Sequence, residues 1–463
     1  MKTKNINIKQ VIMLALILFT LNSCDKFVDV DLPKSQLTNI TVFEDYTTAD
    51  AALTDIYSKI RDRGMLNGTS TGLSLKLGNY TDEITPYGSS TSSNFIFYNN
   101  SLVSTTSDVA EYWNATYNQI YAANSVIEGA EKSTNLTVQN KKQLTGEAIF
   151  IRALLHLYLV NLFGDIPYIK HTDYNENRLV TKMPTKEVYQ NIVTDLSTAI
   201  SLLPTEYSSV DRVRPSQYVA RALLARTYLY SGEYLDAVNT SSILLNQPNI
   251  FLLEQNINKV FLINSKETIW QLKSAIGGQN AKEGGTFIFL SGPPSSNALN
   301  IGLVNSFNSN DLRRANWIKL VSNSSSSWYH AYKYKERTTT GSSLEYSIVF
   351  RLSEQYLIRA EARVFNGDLQ GARDDLNQIR QRAGLGNTPA ITKAELLASV
   401  LEERRWELFT EYGHRFFDLK RFGKIDDVLS VIKPGWNNTD RLFPIPQSEL
   451  ATNPNLRPQN PGY

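Results

Sequence analysis

Apolar residues recur at helical spacing over most of the chain. In 47–61, Ala51, Ala52, Ile56 and Ile60 share a face, and Asp50 sits in the first turn, where the helix dipole favours a carboxylate. The same period returns in 109–131 and in 139–163. In the latter Ile149, Ala153, Leu157 and Val160 line one face, and Gly164-Asp165-Ile166-Pro167 supplies the stop. Further helices are predicted for 185–203, ended by Pro204, and for 216–231, 353–365, 369–382 and 393–411. Two stretches break the pattern. Region 64–100 is rich in Gly, Ser, Thr and Asn and reads as a long irregular segment. Region 264–347 reads as an excursion with strand-like runs at 286–290, 317–321 and 328–335. The tail 434–463 carries six prolines and predicts extended chain packed over the surface.

One helical stretch carries a recognisable repeat. Leu224, Ala225, Tyr228, Gly232, Tyr234 and Ala237 match the tetratricopeptide pattern in spacing: a small residue for close helix approach, a glycine for the turn, and a small residue at the crossing. Ala360, Gly367 and Ala372 repeat that skeleton far downstream. The fold class expected is mainly α: a tetratricopeptide-like helical-repeat scaffold with long loop excursions and a few short strands.

Composition narrows the function. Of 463 residues, 42% are hydrophobic and 20% charged, the proportions of a globular chain. Lys2, Lys4 and Lys9 precede Cys24 and no acidic residue does, so a chain beginning at Cys24 has 44 cationic and 45 anionic side chains. Near neutrality gives no field for nucleic acid, and no nucleic-acid partner is expected. The single cysteine excludes an intramolecular disulfide and any multi-cysteine metal site.

That cysteine closes a recognisable leader. A basic start, an unbroken apolar run over 11–19 and Leu21-Asn22-Ser23-Cys24 read as a signal peptide (1–23) ending in a lipobox, with Cys24 as the lipidation site. Nine apolar residues are too few to span a bilayer, which takes about 20. Residues 24–45 then read as a lipid-anchored tether, a membrane association through acyl chains.

Four segments in order carry a family resemblance: Arg359-Ala360-Glu361-Ala362, Leu376 to Gly384, Glu403 to Arg421, and Phe443-Pro444-Ile445-Pro446 followed by Asn453-Pro454-Asn455-Leu456 and the terminal Asn460-Pro461-Gly462-Tyr463. With Asn161-Leu162-Phe163-Gly164-Asp165-Ile166-Pro167 and the lipobox, the chain resembles the SusD/RagB family of outer-membrane lipoproteins. The resemblance implies an N-terminal helical region (46–250) and a C-terminal region (251–463) forming one unit. It also implies tethering to the outer membrane of Bacteroidota, facing the cell exterior, and partnership with a SusC-like, TonB-dependent transporter that receives captured glycan. It implies neither catalysis nor a cofactor. Peptide binding by the same architecture and, from another class, a secreted glycoside hydrolase are the alternatives.

Glu403, Glu407 and Glu411 share a helical stripe and would repel one another unless cations from Arg404, Arg405, Arg415 or other helices join them, so a structural ion network is expected. His156, His171, His330 and His414 show no metal-ligand spacing, and His156 reads as a core residue. A sugar site needs flat rings beside carboxylate, amide or guanidinium groups. Two loop regions supply both: Tyr80 and Asp82 with Tyr87, and Trp328 and Tyr329 with Tyr332 nearby. Trp317 is a weaker platform, and Trp406 and Trp436 are expected to pack.

Overall fold

A computed structural model describes residues 42–463; the expected leader, Cys24 and most of the tether lie outside them. The helices of eight residues or more are α1 (Tyr46–Asp62), α2 (Leu73–Tyr80), α3 (Ser107–Lys132), α4 (Val138–Phe163), α5 (Thr185–Leu202), α6 (Gln217–Ser231), α7 (Tyr234–Leu245), α8 (Leu352–Phe365), α9 (Leu369–Arg382), α10 (Lys393–Leu408), α11 (His414–Arg421) and α12 (Ile425–Ile432). Among the described residues the strands form three antiparallel pairs, β1 (Ile84–Pro86) with β3 (Asn297–Leu299), β2 (Thr268–Leu272) with β6 (Ser347–Arg351), and the hairpin β4 (Ile318–Ser322) with β5 (Ser327–Ala331), and shorter helices fill the connections. The mainly-α fold with few short strands is observed.

α4 is the centre of the largest core. From Leu144 onward it is buried on almost every side, not along one face, and it packs against α3 and α5. It is the one described helix long and apolar enough to cross a bilayer, and it is sunk in protein. Its polar residues are satisfied internally. Arg152 forks onto Asp195 with two bonds of 2.8 Å, and Tyr168 donates to Asp195 at 2.6 Å. His156 stacks on Tyr168 at 3.9 Å and accepts from the Ile169 N–H, and burial pushes its pKa down to about 3. It is a neutral core histidine, as expected.

The two repeats end their first helices in the same way. Gly232 and Gly367 take φ of +84° and +85°. The following residue donates back five positions, Glu233 to Tyr228 at 2.8 Å and Asp368 to Arg363 at 2.9 Å, the signature of a Schellman turn. Though distant in sequence the repeats meet. Ala225, Leu229 and Ala237 cluster with Ile358 and Ala362, and Tyr234 stacks on Phe365 at 4.0 Å.

Five expectations about local structure are corrected. Region 64–100 contains α2, β1 and the helix Ser93–Tyr98. α2 is buried on all sides, Lys76 and Asn79 included; the Lys76 ammonium bonds Ser93 at 2.7 Å and Asn94 at 3.1 Å. The run 286–290 is not a strand: the helix Lys282–Phe287 takes its first two residues, with Gly284 where a β-carbon would lie 2.3 Å from the Glu336 carbonyl. The run 328–335 leaves its strand at Ala331, because Tyr332 bonds back to Trp317 and Lys333 turns inward. α10 stops at Leu408, short of 411, because Thr410, Tyr412 and Gly413 all take positive φ. The tail buries Phe443, Ile445 and Leu456 and adds the short helix Gln447–Thr452.

Candidate functional site

The charged segment 402–421 is the densest titratable cluster, and its geometry is that of a buried ion lattice. Glu407 receives Arg313 at 3.0 Å, Arg351 at 2.5 Å and Arg382. Glu403 is held by Arg313 at 2.7 Å and Arg380 at 3.3 Å, and Glu411 by Arg351 at 2.9 Å and Lys333 at 2.5 Å. The guanidinium groups around Glu407 hold its carboxyl well below the ordinary range despite burial, and Arg351 and Lys333 lower that of Glu411. Glu407 and Glu411 are thereby held ionised, unlike a general acid, which needs a raised pKa; burial raises that of Glu403 against the pull of Arg313 and Arg380, yet its side chain is wholly buried between those cations. The network is therefore structural. Its cations, however, come mainly from other elements: Arg404 pairs with Asp418, and Arg405 and Arg415 pair with Asp82.

Tyr80 and Asp82 are consequently not on a loop surface. Tyr80 is fully buried, edge-on to Phe97, Phe416, Trp436 and Phe443, with its hydroxyl on the Asp440 carbonyl at 3.0 Å. Asp82 is buried, gripped by Arg415 at 2.8 and 2.9 Å and by Arg405 at 2.7 Å, and these guanidinium groups hold its carboxyl at about 2. With no free face, neither can meet a ligand: both belong to the core that locks the N-terminal segment onto α10 and α11. Trp317 is buried too, its indole N–H on the Ile257 carbonyl, whereas Trp406 is partly buried and Trp436 packs on Tyr80.

Tyr87, Trp328 and Tyr329 lie elsewhere, and the structure brings the first two to one edge. β1 pairs with β3 in the register Ile84↔Leu299 to Pro86↔Asn297, and Tyr87 extends it by donating its N–H to Ser296 at 2.8 Å. β3 lies alongside β5, which carries Trp328 opposite Val321. Trp328 is half-buried because its ring rests on Gly292, where a β-carbon would lie 2.1 Å from the indole. Only glycine leaves room for that seat. Tyr87 is likewise half-buried, whereas Tyr329 turns its ring against the second core. Tyr332 is covered by Lys319 at 4.8 Å and Lys335 at 4.3 Å, so its ring serves internal cations.

Beside this edge runs a cleft of about 430 Å³ between 285–297 and Arg337. Ser291, Ser295 and Ser296 provide hydroxyls, Phe289 a half-buried ring and Arg337 an exposed guanidinium. Asn297 bonds the Thr286 carbonyl at 3.2 Å, holding the two walls together. Concavity, rings and hydrogen-bonding groups together suit a polar ligand with an apolar face. The serine-rich wall and the Gly292 seat carried no sequence signal beyond Gly292-Pro293-Pro294 within a Gly- and Ser-rich run.

Comparison with known proteins places these features in context. A family model described as "Starch-binding associating with outer membrane" matches residues 26–229, and one described as "SusD family" matches 305–463. "SusD-like protein P2" of Formosa agariphila is 30% identical over 414 residues, 77% of this chain and 81% of the relative. "Starch-binding protein SusD" of Bacteroides thetaiotaomicron is 36% identical over 126 residues, 25% of this chain and 21% of the relative. Among solved structures, a "Laminarin binding SusD-like protein" superposes with a TM-score of 0.75 at 25% identity, over 90% of this chain and 99% of its own. "Surface glycan-binding protein A" from B. thetaiotaomicron, in complex with laminarihexaose, superposes with a TM-score of 0.75 at 19% identity, over 89% and 99%; at that identity the likeness is one of fold.

Proposed function

Because this chain belongs to the SusD/RagB family, we propose that it is a lipid-anchored protein of the outer membrane, facing the exterior, that binds oligosaccharides and delivers them to a SusC-like TonB-dependent transporter. The observation that carries the reading is Trp328, half-exposed on a glycine seat whose two chain neighbours, Ser291 and Pro293, line the hydroxyl-bearing cleft. An indole held flat offers its face to the C–H side of a sugar ring, and the neighbouring serines and Arg337 meet hydroxyl groups. The laminarin-binding solved relative supports glycan as ligand class. Anchoring rests on the Cys24 lipobox, outside the described residues. The reading is of binding without cleavage, supported by the burial of Glu403, Glu407 and Glu411 in ion pairs.

Isothermal titration of the full chain in detergent against plant, algal, fungal and host glycans and peptide digests tests this, with product analysis of the same mixtures. A glycan bound uncleaved, and weakened at least about tenfold by Trp328→Ala, is expected. Peptide binding overturns the ligand class, and released sugars overturn the absence of catalysis.

A further inference from the structure

A second cleft, of about 590 Å³, lies between α3, the segment 167–180 and the tail at 449–456, and shares no lining residue with the cleft beside Trp328. Its walls are pinned. Tyr117 donates to the Pro167 carbonyl at 2.9 Å and Asn124 to Ile169 at 3.1 Å, which fixes one wall to α3. Asn453 donates to Val180 at 2.8 Å and Asn455 to Leu179 at 3.0 Å, which fixes the other to the tail. A ligand therefore meets a preformed cavity and orders little chain on binding.

The lining combines bare rings with uncommitted polar groups. Tyr121 is 49% and Tyr174 75% exposed, the two most exposed tyrosines among the described residues, and both line this cleft. On α3, Asn114 and Asn118 precede Tyr121 at helical spacing; both are exposed and make no side-chain hydrogen bond among the described residues. Asn177 donates to the His171 carbonyl at 2.9 Å, yet its Oδ1 is buried without a partner. Glu449 lies half-buried on the far wall. An apolar peptide side chain would leave these amides unsatisfied, at a cost of about 1–3 kcal/mol for each one buried. A ring bearing hydroxyls satisfies them and stacks on tyrosine at once.

We infer that the cleft formed by Tyr121, Tyr174, Asn114, Asn118, Asn177 and Glu449 is a second saccharide-binding site, independent of the edge that carries Trp328. The two tyrosines supply the stacking faces, the three asparagines accept from and donate to ring hydroxyls, and Glu449 accepts from one more. A chain with two separated sites holds a polymeric glycan at two points, raising avidity without any added contact at either.

A glycan array of plant, algal, fungal and host oligosaccharides tests the site, probed with the full chain in detergent as wild type, Trp328→Ala, Tyr121→Ala/Tyr174→Ala, and the three changes combined. The Trp328→Ala protein is expected to retain at least one sugar, and that binding is expected to fall about tenfold or more in the combined variant, the size of losing stacked rings. Asn114→Ala/Asn118→Ala should reproduce the fall with the rings intact. Tyr121, Tyr174, Asn114 and Asn118 are exposed and Trp328 is half-buried, and an unchanged circular dichroism spectrum checks the fold. A Trp328→Ala protein that binds no sugar, or whose binding ignores Tyr121 and Tyr174, overturns the second site. Sugar binding that depends on Tyr121 and Tyr174 but not on Trp328 instead overturns the first site and leaves this one standing.

Discussion

Glu407→Gln is the sharpest perturbation of the scaffold. Glu407 lies at the centre of a lattice in which five carboxylates (Glu267, Asp311, Glu403, Glu407, Glu411) face five cations (Arg313, Arg351, Arg380, Arg382, Lys333). The side chains of Glu267, Arg313, Arg382, Glu403 and Glu407 are 0% exposed. Glutamine keeps the volume but removes one charge and turns an amide donor toward three guanidinium groups, leaving a net positive charge away from water. Removing one partner of a buried pair costs about 3–5 kcal/mol, whereas Lys424→Ala, which breaks the exposed pair with Asp427, should cost roughly 0–1 kcal/mol. Urea unfolding followed by tryptophan fluorescence measures both, at 0.15 and 1 M NaCl, and salt should leave the first effect standing because the pair is buried. The pH dependence has a definite sign. Glu407 and Glu411 titrate below the ordinary 4.5 when folded, so their contribution is complete above that value and is lost as pH falls below it. The gap between wild type and Glu407→Gln should therefore narrow below about pH 4. A cost under about 1 kcal/mol at pH 7, or one abolished by 1 M salt, would refute the electrostatic account of this segment. Glu411→Gln, at the edge of the lattice with two cations rather than three, provides a milder variant should the first fail to fold.

Three further outcomes follow from the structure. Gly292→Ala should displace the indole it seats and weaken glycan binding toward the Trp328→Ala level, whereas Gly277→Ala, which opens onto empty space, should leave titration unchanged. Gly232→Ala and Gly367→Ala should each cost about 1 kcal/mol in urea unfolding, and equally, because a β-carbon at either meets nothing within 4 Å and only the positive φ is strained. Glu83 is pushed up to about 7, chiefly by burial and then by Asp82, so the folded state holds its proton between about 4.5 and 7 and loses stability as pH rises through that window. Glu83→Gln should accordingly stabilise by up to about 3 kcal/mol at pH 8 and by little at pH 5.

What could be read in the sequence follows from how far each signal is local. α1, α3, α5, α8 and α9 each turn one face to a core, so period 3.6 betrays them, and the Gly232 and Gly367 turns are encoded within five residues of backbone. α2 is hidden for another reason: it is only eight residues long, too short for a period to repeat, and Lys76 and Asn79 inside it mimic a surface. Site placement failed for a related reason. Asn79 to Glu83 reads as a polar loop in one dimension, but Arg405 and Arg415, more than three hundred positions away, neutralise Asp82 and draw Tyr80 into the aromatic core with it. A charge whose partner is distant in sequence looks exposed until the fold is known. The residues that position a candidate ligand face are the least legible of all. Gly292 matters only because Trp328 arrives above it, and the tyrosines of the second cleft stand out only because the tail bonds to 179–180 and leaves them bare. Core positions are set by patterns within one element, whereas both candidate sites arise where three separate segments converge. The decisive tests are therefore substitutions at those convergences and not within any single motif.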